Sequence, residues 1–435
     1  MKKSIDIKRM GLLLLILCAF GFGCRGEIEN FSIINLDHLD HLYQEINLNN
    51  QRMAIVHIYA EYPHYDWKDA PGEGMACIDD VSRAAVFYMK HYKYTQQPSS
   101  LQKAKRLLDF ILYMQAPNGL FYNFINSDLT INKIHKNSTP KATWWSWRAV
   151  WALAEGHELF NKTNAEFSQM LTRSIEKTFP AIDSVLHKYP VMLPYSGLSQ
   201  PTWLPYGSGA DQSAVLLLGL VQYYHATQDS AVRRRIDWIG EGLLALQVGD
   251  STQFPYSAFM SWGNMWHAYG NLQAYALLNA GEALNDKNVI TRALNELRFF
   301  YPYLMKQNYL SQFTVVVEGD SIIAKDMLRF SQIAYNIRPM VWASLQAYKH
   351  TGFDFYARQA GDIACWLLGK NITGNPVYDP QTGRCFDGIE DYNKLNRNSG
   401  AESTIEALLT ILEVEMNPLA RTILHEYYRK RFHYN

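Results

Sequence analysis

From about residue 75 onward the sequence is a succession of helix-length stretches with 3.6-residue apolar periodicity, joined by links that alternate short and long. No other feature constrains the fold as much. The stretches cover 79–91, 99–115, 143–159, 165–187, 211–225, 230–247, 264–283, 287–306, 332–349, 355–368, 400–415 and 418–432, twelve in all. Links after the odd stretches are brief, as at Asn285-Asp286, and make antiparallel helical hairpins. Links after the even stretches, such as 116–142, 188–210, 307–331 and 369–399, are several times longer. A partial echo between Met114-Gln115 with Phe121-Tyr122 and Leu246-Gln247 with Phe254-Pro255-Tyr256 fits a repeating unit.

Six hairpins in sequence bury their apolar faces by closing into a ring, whereas an open solenoid needs polar capping repeats that this chain lacks. The predicted fold is therefore all-α, an (α/α)6 toroid over residues 75–435 with odd helices inside and even helices outside. Before it come an expected signal peptide at 1–23 and an N-terminal extension at 24–74, with a short amphipathic helix near 36–46 and a strand-like piece at 53–59. The leader is read from Lys2, Lys3, Lys8 and Arg9, followed by an apolar run at 12–22 too short for a comfortable membrane span. Gly23-Cys24 resembles a bacterial lipoprotein cleavage site, although Gly21-Phe22-Gly23 departs from the usual leucine-containing box, making Cys24 the expected lipidated residue and the cell envelope the expected location.

Lys plus Arg equals Asp plus Glu at 41 each, which removes the electrostatic case for nucleic acid as partner. The chain instead carries 28 Tyr, 20 Phe and 11 Trp, which suit either a large aromatic core or stacking on sugar rings, so a carbohydrate is the expected partner. No His or Cys spacing resembles a zinc site, and neither metal nor cofactor is called for. Of the cysteines beyond the leader, Cys365 sits in an apolar helical run, while Cys77 and Cys385 flank the first and sixth inner helices and are candidates for a disulfide across the ring closure.

In such a ring the long loops and the N-termini of all six inner helices share one face, where function is expected; the short-link face shows no comparable set. Those starts supply Asp79, Asp80 and Arg83; Trp144, Trp145, Trp147 and Arg148; Asp211; Trp262, Trp266 and His267; Tyr335, Asn336 and Arg338; and Asn398 and Glu402. The first and sixth inner helices are neighbours in a closed ring, which sets Asp79 or Asp80 opposite Glu402. Packed helix axes lie about 8–10 Å apart, and inverting glycoside hydrolysis wants two carboxyl groups about 6.5–9.5 Å apart. Glu402 is then the expected acid, kept protonated by the like charge of Glu406 or by apolar cover, and Asp79 or Asp80 the expected base. Arg83 and Arg148 would anchor an anionic sugar or orient the carboxylates. Each assignment has a structural rival. Ser399-x-x-Glu402 is a capping box, Asp79 suits an N-cap, and Arg83 follows Asp79 at i+4. The tryptophans suit a core, and His267 a hydrogen-bonding wall.

Cys365-Trp366-Leu367-Leu368-Gly369-Lys370-Asn371 with Gly374-Asn375-Pro376, together with Asp79-Asp80 and Glu402, resembles the corresponding segments of family 9 glycoside hydrolases, in the six-hairpin glycosidase superfamily. The family's Asp-Ala-Gly-Asp spacing and His-His-Arg loop are absent, and its Asn-Glu before the last helix is replaced by Ser-Gly-Ala-Glu. The resemblance implies a glycoside hydrolase, with a uronic-acid-containing glycan as the preferred substrate. It also admits a lyase or epimerase of uronosyl residues using Tyr335 or His267 as base, or a glycan-binding lipoprotein without catalysis.

Overall fold

The computed structural model describes residues 31–432; the expected leader and Cys24 lie outside them. The inner helices are Ile78–Thr95, Trp144–Phe160, Ala210–Thr227, Gln273–Leu284, Ala334–Thr351 and Ala401–Glu415. The outer ones are Pro98–Tyr113; Ala165–Glu176 continued by Phe179–Leu186; Ser230–Ala245; Lys287–Asn295 continued through a π turn, Glu296–Phe300, into Tyr301–Lys306; Asp354–Ala364 with a 3-10 turn, Cys365–Leu368; and Pro418–Phe432. Each inner helix packs on the next, and the sixth packs on the first, so the ring closes as an (α/α)6 toroid.

Burial separates the two layers. Every residue from Ala334 to Ala347 is buried, as a helix surrounded by others requires, whereas Pro98–Tyr113 buries one face around Ala104, Leu107, Leu108 and Ile111. The short links turn through residues in the left-handed region, Gln96, Gln228, Asn285 and Gly352, which close the inner helices. Asp229 and Asp286 follow directly and cap the outer helices by accepting two backbone N–H groups each.

The fourth inner helix begins nine residues later than the periodicity at 264 predicts, at Gln273. Met265–His267 is instead a strand, pairing with the first strand of a hairpin, Gln312–Glu318 and Ser321–Leu328. Gly270 turns the chain at φ +65°, where any Cβ would lie 2.9 Å from the Tyr335 hydroxyl. Further short hairpins decorate the long-loop rim at Met192–Tyr195 with Leu198–Pro201 and at Gly388–Asp391 with Lys394–Asn396.

Residues 34–74 are more than a tether. They form one compact unit with the ring. After the helix Asp37–Leu42 the chain makes the hairpin Tyr43–Leu48 with Gln51–Val56, and then Tyr59–Glu61 with Asp66–Lys68. Ile58 and Ala60 accept backbone N–H bonds from Ala401 and Ser399, which stitches this segment to the start of the sixth inner helix. The expected Cys77–Cys385 disulfide is not formed. Both thiols are buried and free, Cys77 donating to Asp80 at 3.2 Å and Cys385 to the Phe386 carbonyl at 3.6 Å.

Candidate active site

The seam between the first and sixth inner helices is held by one guanidinium. Arg83 donates to Asp80 Oδ1 at 2.8 Å, to Glu402 Oε2 at 2.8 Å and to Glu406 Oε1 at 3.3 Å. Glu406, fully buried, also accepts two bonds from Arg338, and Arg148 bonds Asp79 and donates to the Tyr335 hydroxyl at 2.9 Å. The ring of Tyr335 lies 5.2–5.3 Å from the guanidinium carbons of Arg83, Arg148 and Arg338. Asp79, Asp80, Arg83, Arg148, Tyr335, Arg338 and Glu402 are thus brought together as a single polar floor. Glu406 joins it, a residue that the sequence suggested only as a like charge.

The i+4 rival for Arg83 is not realised, because the Asp79 carboxylate goes to Arg148 and Arg83 reaches only the Asp79 backbone carbonyl, at 3.3 Å. Nor does the capping box form. Gly400 is the N-cap, Ser399 Oγ accepts from the Cys385 N–H at 3.2 Å, and Glu402 turns to Arg83. The helix start is capped from a loop by Asp387, which accepts from Gly400 N–H at 2.8 Å and Ser403 Oγ at 2.7 Å. Burial nevertheless raises the Asp387 carboxyl, against those two bonds.

Solvent reaches this floor unevenly. The Glu402 side chain is 44% exposed and that of Asp79 18%, whereas Asp80 is buried. Burial pushes Asp80 up to about 6, Arg83 opposing and Glu402 adding to the rise. Desolvation acts to raise Glu402 too, but the Arg83 charge and hydrogen bond, with Arg148 and Arg338 behind them, hold it below the usual carboxylate range. Glu402 is therefore an ionised carboxylate in the resting site, which opposes the expected acid role. The like charge of Glu406 cannot keep it protonated because Glu406 is itself neutralised by two guanidiniums.

The aromatics divide. Trp262 is 51% exposed and, with Trp144, Tyr206 and Asp211, lines a cleft of about 410 Å³ between the second and third inner helix starts. The Arg148 guanidinium lies 4.9 Å over the Trp144 ring, so the cleft adjoins Asp79 through one side chain. Trp147 belongs to the core, and Trp145, nearly so, donates to the Phe121 carbonyl at 2.8 Å. Trp266 stacks on Phe313 and, with Asn336, lines a small internal cavity against the fourth outer helix, so neither forms the funnel wall expected of it. Strand geometry explains Trp266: its neighbours Met265 and His267 point to the opposite side of the strand. Asn398 sits at the rim and accepts from the Tyr62 N–H at 3.0 Å.

His267 is buried with both ring nitrogens engaged, Nε2 at 2.9 Å from Asp211 Oδ2 and Nδ1 at 2.9 Å from the Tyr269 carbonyl, and its ring stacks on that of Tyr269. It is a wall, as its rival reading had it. Tyr269 and Tyr59, half exposed at the mouth, were not found from sequence. Burial raises both phenols, helped at Tyr269 by Asp211 and Glu402 and at Tyr59 by Glu73 and Asp80. The lone signal for Tyr269 was its place two residues after His267.

No known sequence family and no curated protein matches this chain. Solved structures do. A sugar epimerase from a ruminal bacterium superposes with TM-score 0.59 at 13% identity, covering 89% of this chain and 96% of its own. A cellobiose 2-epimerase from Bacillus thermoamylovorans gives 0.58 at 11%, covering 87% and 96%. A glycoside hydrolase family 9 endoglucanase gives 0.50 at 14%, covering 82% and 73%. At such identities the likeness establishes the shared toroid.

Proposed function

We propose that the chain is a carbohydrate-active enzyme working by general acid–base chemistry, and that its reaction is hydrolysis of a glycosidic bond with inversion. The observation that carries this is the set of carboxyl groups at the first and sixth inner helix starts, Asp80 and Glu402 bridged by Arg83 with Asp79 beside them on Arg148, of which Glu402 is 44% exposed. Glu402, ionised, takes the base role and draws a proton from the attacking water; Asp80, which shares Arg83 with it and whose carboxyl is raised by burial to about 6, is the proton donor to the leaving oxygen, while Asp79 is held by Arg148. The roles are thus exchanged relative to the sequence expectation. Trp262, Tyr206 and Trp144 offer rings for a sugar bound in the adjoining cleft.

The charge balance favours a neutral sugar over a uronate. Arg83 is already bonded to Asp80, Glu402 and Glu406, Arg148 to Asp79 and Arg338 to Glu406, so no guanidinium of the floor stands without a carboxylate. The likeness to two sugar epimerases over 96% of their length supports a second reading, proton exchange at a sugar carbon. Tyr335 and Glu402 serve it, since His267 has no free nitrogen.

The test is turnover of a neutral oligosaccharide panel in deuterated water. Hydrolysis raises reducing ends; epimerisation leaves them constant and places deuterium on carbon. Glu402→Gln should lower turnover at least about 100-fold in either case, and unchanged turnover would remove the residue from the mechanism. Azide restoring Glu402→Ala through a glycosyl azide fits the base role, whereas restoration solely by substrates with good leaving groups would return Glu402 to the acid role.

A further inference from the structure

The inner helices also enclose a cavity at the other end of the ring axis, at their C-terminal ends, of about 680 Å³ against about 410 Å³ for the cleft beside Trp262. The short-link face is therefore not featureless. Every inner helix gives this cavity a polar side chain: Lys90, Glu155, Gln222, Asn279, Gln346 and Glu413 in chain order. Trp151 and Trp342 add apolar wall, meeting edge to face at 6.0 Å.

The lining selects its ligand by charge and by hydrogen bonding. Lys90 donates to Glu413 at 2.6 Å and stands 4.8 Å over the Trp342 ring, and Lys93 pairs with Glu158 at 2.9 Å and Glu155 at 3.8 Å. Lys349 also lines the cavity, so three lysines face the three glutamates Glu155, Glu158 and Glu413, and a wall balanced in charge leaves little field to attract an ion. The amide nitrogens of Gln222, Gln346 and Asn279 donate to Glu158, Glu282 and the Tyr275 carbonyl. Their amide oxygens take no protein donor among the described residues and remain as acceptors. Acceptors on three helices, a lysine donor and an indole wall suit a compact molecule with many hydroxyls and one apolar face, and the volume lies within the usual range for small-molecule sites, about 300–1,000 Å³.

We propose that this cavity is a second saccharide site, for a neutral mono- or disaccharide, separate from the carboxylate floor around Glu402. It does not depend on the reaction assigned to that floor.

Saturation-transfer NMR of the full chain with glucose, galactose, mannose, xylose and cellobiose, and with glucuronate as charged control, tests it. Neutral sugars should give transfer in the wild type and in Tyr206→Ala/Trp262→Ala, which strips the upper cleft. The signal retained there should fall at least about five-fold in a chain that also carries Asn279→Leu/Gln346→Leu, a loss equivalent to one hydrogen bond. Tyr275→Phe, which deletes one hydroxyl beside the cavity, replaces that pair if it fails to fold and should weaken the same signal. The proposal is overturned by absence of neutral-sugar transfer, by transfer from glucuronate alone, by loss on stripping the upper cleft, or by survival in the lower-cavity variants. Failure of the Glu402 experiments would leave all of these outcomes unaffected.

Discussion

Glu296 offers a direct test of the packing behind the site. It sits in the π turn of the fourth outer helix, fully buried, with Oε1 accepting the Phe259 N–H at 2.9 Å and Oε2 without a hydrogen-bond partner among the described residues. Phe259 lies in the strand that leads to Trp262, so this carboxyl anchors the base of a cleft wall. Burial raises it from 4.5 to about 8. For an acid whose folded value lies above its unfolded one, the native state binds the extra proton between the two, so stability falls as pH rises from 4.5 to about 8 and is level beyond. At about 1.4 kcal/mol for each tenfold change in proton affinity, the loss across that window is on the order of 5 kcal/mol. Glu296→Gln keeps the acceptor for Phe259 and removes the titration. Urea midpoints compared at about pH 5 and about pH 8.5 should show the variant gaining on the wild type by most of that amount. Asp80 contributes with the same sign between 3.8 and about 6, but it is common to both proteins and cancels. A stability difference that stays constant between the two pH values would refute the assignment of a protonated, buried Glu296.

Two further predictions concern the seam. Glu406→Gln leaves the buried guanidiniums of Arg83 and Arg338 short of a charge and should cost about 3–5 kcal/mol in urea unfolding. Glu402→Gln, at a side chain 44% exposed, should cost no more than about 1 kcal/mol by the same measurement, so its effect on turnover is separable from folding. Asp387→Ala removes the acceptor for Gly400 N–H and Ser403 Oγ. It should destabilise by about 1–2 kcal/mol and speed hydrogen exchange in the first turn of Ala401–Glu415, and unchanged exchange there would deny it the cap.

The ring was legible because its cause is local. Gln96, Gln228, Asn285 and Gly352 turn the chain within two residues, and apolar periodicity on both sides supplies the helices. The start of the fourth inner helix was not, because Met265-Trp266-His267 fits a helical face as well as a strand, and the choice is made by Phe313, nearly fifty residues on, and by Gly270 against Tyr335. Trp147 and Trp262 are the same residue type and both read from sequence as lying at inner helix starts, yet one is in the core of its helix and the other half exposed in the loop before Met265–His267, because periodicity reports which face is apolar and not what covers it. Arg83 shows the limit most sharply. The sequence partner expected for it, Asp79 at i+4, is the carboxylate it does not take; it bonds Asp80 one residue nearer, and its bond to Glu402 spans 319 residues. No window of sequence contains that pair. Only the count of six hairpins, which makes the first and last inner helices neighbours, places Glu402 beside Arg83, so the charge state of the candidate base is set by ring closure and not by its own helix.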